Sequence, residues 1–173
     1  MTETLRIDHT FPCTEETFWG LFLSTEYNHA LFKDYLRFPV WRVGSQRTEG
    51  AVIHRIIEVE PDLGDLPGPI KKVIGDNFGY KEDGAYDVAA RRYKVRVIPN
   101  RLGDKIIVNA EQFTEPGPGG TCRRIFRATI DAKIFGIGGL IEKKIAADTT
   151  QAYEVGAEFT TRYLHKHGLA ITT

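Results

Sequence analysis

The sequence predicts an α+β fold in which a curved, seven-stranded antiparallel sheet grips a long C-terminal helix, with two short helices between strands 1 and 2. Three observations predict it. Apolar residues recur with a period of two through most of residues 38–133. The connections between these runs are short, so neighbouring strands are antiparallel. The last forty residues close a strand in a glycine-rich bend and continue as one long amphipathic stretch.

Leu5 to Phe11 alternates apolar and polar residues and reads as the first strand, stopped by Pro12. Thr14 followed by Glu15 and Glu16 supplies a capping hydroxyl and first-turn acids for a helix that buries Phe18, Leu21 and Phe22. A second short helix starts at Ser24 or Thr25 and buries Leu31, Phe32 and Tyr35. Phe38 to Arg47 and Ala51 to Glu60 form a hairpin across Thr48-Glu49-Gly50. Phe78 to Lys81 and Tyr86 to Ile98 are joined at Asp83-Gly84, a strong hairpin signal. Lys105 to Thr114 and Thr121 to Lys133 complete the seven, with a reversal at Glu115 to Gly120. The longest connection, Pro61 to Asn77, carries a short helical pattern at Ile70, Val73 and Ile74, read either as a lid or as a plug for the open end of the core.

At 173 residues the chain is read as one domain, 1–173, with a C-terminal helix over about 139–166. Its 23 basic and 23 acidic residues balance, which removes any global pull toward nucleic acid or anionic membrane. Cys13 and Cys122 are too few for a disulfide framework or metal cluster and read as two reduced, semi-buried thiols on distant elements. No signal peptide and no apolar run of membrane-spanning length is present, so a cytoplasmic chain without an integral membrane segment is expected. Transient membrane contact stays open, as does the oligomeric state.

Counting ~100° per residue places Ile141, Ile145, Asp148, Ala152, Val155, Gly156, Phe159 and Tyr163 on one face of the long helix. That face is bulky at its ends and small in the middle, at Thr149, Ala152 and Gly156. A curved sheet touches a straight helix best at its ends, so the small residues mark room for a ligand, unless a neighbour such as Trp41 fills it. Gly156→Leu is then expected to fill the hollow without loss of stability. On the sheet, alternation aims Trp41, Tyr93, Phe126 and Ile130 inward, and His54 through its parity with Val52 and Ile56. Arg91 shares parity with Tyr93, and Arg124 with Phe126. A buried arginine needs a partner, either an inward carboxylate or an anionic ligand head group.

Catalytic motifs are missing. Gly136-Ile137-Gly138-Gly139 has Ile141 where a dinucleotide-binding turn needs glycine, and no strand follows the helix. Neither Ser24 nor Ser45 lies in a nucleophile elbow. The five histidines have no zinc spacing, so no metal, cofactor or catalytic residue is assigned.

The order of elements, together with Ile134-Phe135-Gly136-Ile137-Gly138-Gly139-Leu140-Ile141-Glu142, resembles the START-like (helix-grip, pollen-allergen-like) superfamily, and within it the uncharacterised bacterial branch. The resemblance spans residues 3–166 and implies a deep apolar cavity for lipids, sterols or polyketides. It carries no shared catalytic residue. The expectation is binding or transport of a hydrophobic small molecule, a lipid by preference, without catalysis. A polyketide cyclase or aromatase using His54 is the rival, and a regulator with a filled interior the third reading. Expected ligand contacts are Trp41, His54, Tyr93, Phe126, Ile130, Thr149, Ala152 and Gly156, with Arg91 or Arg124 as the polar handle.

Overall fold

The computed structural model describes residues 1–172. Seven strands form one sheet: β1 (Thr2–Phe11), β2 (Val40–Glu49), β3 (Val52–Glu60), β4 (Tyr80–Asp87), β5 (Arg92–Pro99), β6 (Ile106–Pro116) and β7 (Cys122–Ala132). Their order is β1-β7-β6-β5-β4-β3-β2, and every pairing is antiparallel. The first strand thus returns beside the last, and consecutive hairpins fill the remainder. β2, at the rim, has a register shift between Val43 and Ser45 that leaves Gly44 as an extra residue.

Thr14 caps α1 (Glu15–Leu23), its hydroxyl accepting from the Thr17 amide at 3.1 Å. Ser24 caps α2 (Thr25–Asn28) in the same way, and the chain continues as a π-helical turn over His29–Tyr35. α3 (Gly68–Ile74) buries Ile70 and Ile74 against Ile106, Val108, Ile130 and Ile141. It therefore plugs one end of the core. α1 and α2 close the other end over Phe11, Tyr86 and Tyr93.

α4 (Gly138–Lys166) packs on β1, β7 and the π-helical turn. The Gly-Gly bend before it has a steric cause. A Cβ on Gly138 would stand 2.1 Å from the carbonyl oxygen of Ala132, so only glycine lets the helix start this close to β7. Glu142, 1% exposed, turns back and accepts from the Ala132 amide at 2.9 Å. The motif that carries the family resemblance is thus a splice between the last strand and the helix.

Two elements differ from expectation. Asp83-Gly84 lies inside β4, and the turn to β5 falls at residues 88–91, where Arg91 has φ +49° and the Asp87 carboxylate accepts from the Ala90 amide at 3.0 Å. Ile141 and Ile145 pack against Ile106, Val108 and Ile130 as the periodicity expects, but farther along α4 the inward face is built from Tyr153, Ala157 and Leu164, turned roughly 100° from Phe159 and Tyr163. Phe159 and Tyr163 pack instead on Tyr27 of α2, and Phe159 also meets Tyr35. α4 has apolar partners on two sides, and the apolar stripe averages them.

Among the described residues, no helix is long and apolar enough to cross a membrane. Cys13 and Cys122 are both fully buried in one cluster, close together rather than on separate parts of the molecule.

Candidate functional site

The inner sheet face is fixed by alternation. It presents Arg55, Ile57 and Val59 of β3, Tyr80, Glu82, Gly84 and Tyr86 of β4, and Tyr93, Val95 and Val97 of β5. Gln112 of β6 and Arg124, Phe126 and Ile130 of β7 continue it. Facing them from α4 is Tyr153, whose ring lies 4.3 Å from Phe126 and whose hydroxyl donates to Gln112 at 3.5 Å.

The buried apolar residues group into clusters that partly buried side chains connect, Phe32 packing against two of them. On the inner face of the sheet, opposite Ile57 and Val97, lies a polar set centred on Glu82. Glu82 is enclosed by protein yet keeps accessible surface, and so do Tyr80 on the same strand and Tyr153 across from it. Among the described residues Glu82 has neither hydrogen bond nor ion pair. Burial raises its carboxyl from the usual carboxylate range to about 7, with the Arg55 charge opposing the rise. Burial likewise pushes the phenols of Tyr80, Tyr93 and Tyr153 up, so all three are neutral donors.

Arg55 is 4% exposed. Its Nη1 donates to the Phe22 carbonyl at 3.1 Å and its guanidinium stacks 4.8 Å from the Phe22 ring. Among the described residues its Nε has no partner, and neither has the buried Tyr93 hydroxyl. Arg55 pairs in register with Gly84, and the Tyr93 hydroxyl lies over that same glycine, 2.0 Å from where a Cβ would be. Glu82 is two residues along β4 on the same face. Arg55, Glu82 and Tyr93 therefore form one corner, with unmet hydrogen-bonding capacity on all three.

Arg124 sits on the other side of Tyr153, its guanidinium 4.7 Å from that ring and 5.0 Å from Phe11. Its Nη2 meets His9 Nδ1 at 2.6 Å. An arginine only donates, so Nδ1 is the acceptor, and Nε2 faces the Glu154 carboxylate at 3.1 Å.

The expected ligand contacts therefore separate. Tyr93, Phe126, Ile130 and Arg124 lie on the inner face as the alternation implies. Thr149 and Ala152 are half-buried on α4. Trp41 is buried in a satellite cluster, stacked on Phe32 at 5.5 Å and edge-on to His29. His54 lies on the outer face, where it meets Glu49 at 3.5 Å, because the inward positions of β3 are the odd ones. Arg91 leaves the strand through its positive φ and pairs with Glu15 of α1 at 2.7 Å. Gly156 faces Leu31, whose methyls stand 3.8 and 3.9 Å from a Cβ built there, so its small size serves helix packing.

Sequence reading misses Arg55 and Glu82. For Arg55 the available signal is that the odd set of β3, with Ile53, Ile57 and Val59, is more apolar than the even set, which has Val52 and Ile56 beside His54, Glu58 and Glu60. For Glu82 the assumed turn cuts through the face Tyr80-Glu82-Gly84-Tyr86.

Two surface hollows, of about 570 and 370 Å³, are lined by none of these inner-face residues. The larger crosses Thr4, Arg6, Asn109, Glu111, Arg127 and Thr129, where Glu111 pairs with Arg92 and Arg127.

Residues 6–164 match the family described as a protein of unknown function (DUF2505). The chain belongs to that family. A comparison of the DUF2505 chain with curated proteins finds no match. Among solved structures it is similar to norcoclaurine synthase from Thalictrum flavum, in complex with dopamine and hydroxybenzaldehyde. The TM-score is 0.64 at 15% identity, covering 94% of this chain and 88% of that one. It is also similar to the Zhui aromatase/cyclase from Streptomyces sp. R1128, with TM-score 0.69, 7% identity, and 96% and 95% coverage. A protein from Thermus thermophilus gives TM-score 0.61, 17% identity, and 93% and 99% coverage. These likenesses establish the START-like helix-grip fold of this DUF2505 protein.

Proposed function

We propose that this DUF2505 protein binds a small molecule with an apolar body and a polar end, a lipid by preference, between the sheet and α4. The observation that carries the reading is Glu82, enclosed, unpaired and still accessible, with Tyr80 and Tyr153 in the same condition. Close-packed interiors leave no such surface unless an internal space adjoins it. Val95 and Val97, half-buried on the same face, supply apolar walls, and burial of the ligand against them contributes roughly 25 cal/mol per Å². A few placed polar groups then fix its orientation.

Native mass spectrometry of the protein as purified, followed by solvent extraction and fractionation of anything bound, tests the reading. A stoichiometric amphiphile supports it. Clean apo protein that also takes up no alkyl-chain or polycyclic probe ends it.

A second reading, an acid–base catalyst related to cyclases, is favoured by Glu82 alone. A carboxyl held at about 7 in an enclosed site exchanges a proton near neutral pH. Turnover of a reactive polyketone that disappears in Glu82→Gln would distinguish it from passive binding.

A further inference from the structure

We propose that the corner formed by Arg55, Glu82 and Tyr93 is a receptor for the carboxylate of an amphiphilic acid, and that Glu82 is protonated in the complex. This names the polar end of the ligand and rests on the binding reading above. Three features of the corner point to it. The Arg55 Nε–H and the Tyr93 O–H are buried donors without acceptors among the described residues, and such groups are costly unless something completes them. The Tyr93 hydroxyl lies over Gly84, the residue that pairs in register with Arg55. Arg55 and Glu82 share a face of the sheet but form no ion pair, so the cation is not neutralised by the protein.

Charge accounting then selects the occupant. With Glu82 neutral, the corner holds one cation and three donors, which suits a carboxylate. With Glu82 ionised, a bound carboxylate gives two anions against one buried cation, an arrangement that excludes the ligand. The other groups facing Glu82 do not change the count. Tyr80 of β4, Tyr93 of β5 and Tyr153 of α4 are neutral phenols. Arg124 lies beyond Tyr153, and the charge that acts on Glu82 is that of Arg55. Asp83 and Lys81 alternate onto the outer face. Free Glu82 titrates at about 7, within reach of ordinary buffers, and a neighbouring carboxylate raises it further. Binding therefore takes up a proton.

The test is calorimetric titration of the native protein with decanoate and with 1-decanol at pH 6, 7, 8 and 9, each in two buffers of different ionisation enthalpy. Decanoate affinity is expected to fall about tenfold per pH unit above pH 7, with close to one proton taken up per ligand at pH 8. Decanol affinity should stay flat. Glu82→Gln should bind decanoate without pH dependence. Arg55→Lys, which keeps the charge but loses the Nε donor, should reduce the preference for decanoate over decanol at least tenfold. Decanoate binding that is independent of pH in the native protein, or equal to that of decanol at pH 6, overturns the carboxylate receptor and leaves apolar binding standing. Failure of both probes, with nothing extracted from the purified protein, removes the receptor and the binding reading together.

Discussion

The Tyr93 side chain lies flat across Gly84. A Cβ on Gly84 would fall 2.0 Å from the Tyr93 hydroxyl oxygen and 2.2 Å from Cζ. The glycine is required by a neighbour on the next strand, and its absent side chain is what lets Tyr93 reach toward Arg55.

Gly84→Ala should therefore cost about 1–3 kcal/mol through overpacking. Urea denaturation would measure it. The double variant Gly84→Ala with Tyr93→Ala should lose much less than the sum of the two singles, because each removes one side of the same collision. Additive losses would show that the two residues do not meet.

Gly156 behaves oppositely. A methyl there meets Leu31 at ordinary contact distance, so Gly156→Ala should stabilise α4 by about 0.5–1 kcal/mol. Gly156→Leu drives a branched side chain into Leu31 and should cost about 1–3 kcal/mol. This replaces the expectation that leucine there simply fills a hollow. Thermal melting of both variants decides it.

Stability of the ligand-free protein should depend on pH through Glu82. Its folded pKa is raised from 4.5 to about 7, so between these values the folded state holds a proton that the unfolded state has lost. The contribution is complete below pH 4.5 and disappears as pH rises through 7. Glu82→Gln should accordingly raise stability at pH 8 by an amount on the order of 2–3 kcal/mol and change little at pH 4.5. Chemical denaturation at the two pH values measures the difference.

Cys13 and Cys122 should resist thiol reagents in the folded protein. Burial raises them to about 11 and about 12, so the thiolate required for reaction is scarce at pH 8. Both should react together on global unfolding, read with a chromogenic disulfide. The same raised values mean stability falls as pH climbs from about 9 toward 12, since only the unfolded thiols ionise there.

The elements were legible because their signals are local. Strand alternation, the Thr14 and Ser24 caps and the glycine bend before α4 set the architecture, and the helix expected over 139–166 spans Gly138–Lys166. The site was less legible because its signals are tertiary. Asp83-Gly84 reads as a turn until Tyr93 is seen to cross it. β3 has apolar residues on both parities, so only pairing with β4 shows that Arg55, not His54, points inward. Arg91 follows strand parity until its positive φ removes it. The middle of α4 is small on the side that meets Leu31, which is not the side that meets the sheet.

The extra residue at Gly44 has a consequence for the molecule in a crowded solution. β2 is an open rim, with backbone groups free to template a second copy. The irregularity interrupts that ladder midway, and Arg42, Arg47 and Glu49 line the rim with ionic pairs to Glu58 and to each other. Strand-to-strand addition of a second molecule along this rim is thereby obstructed.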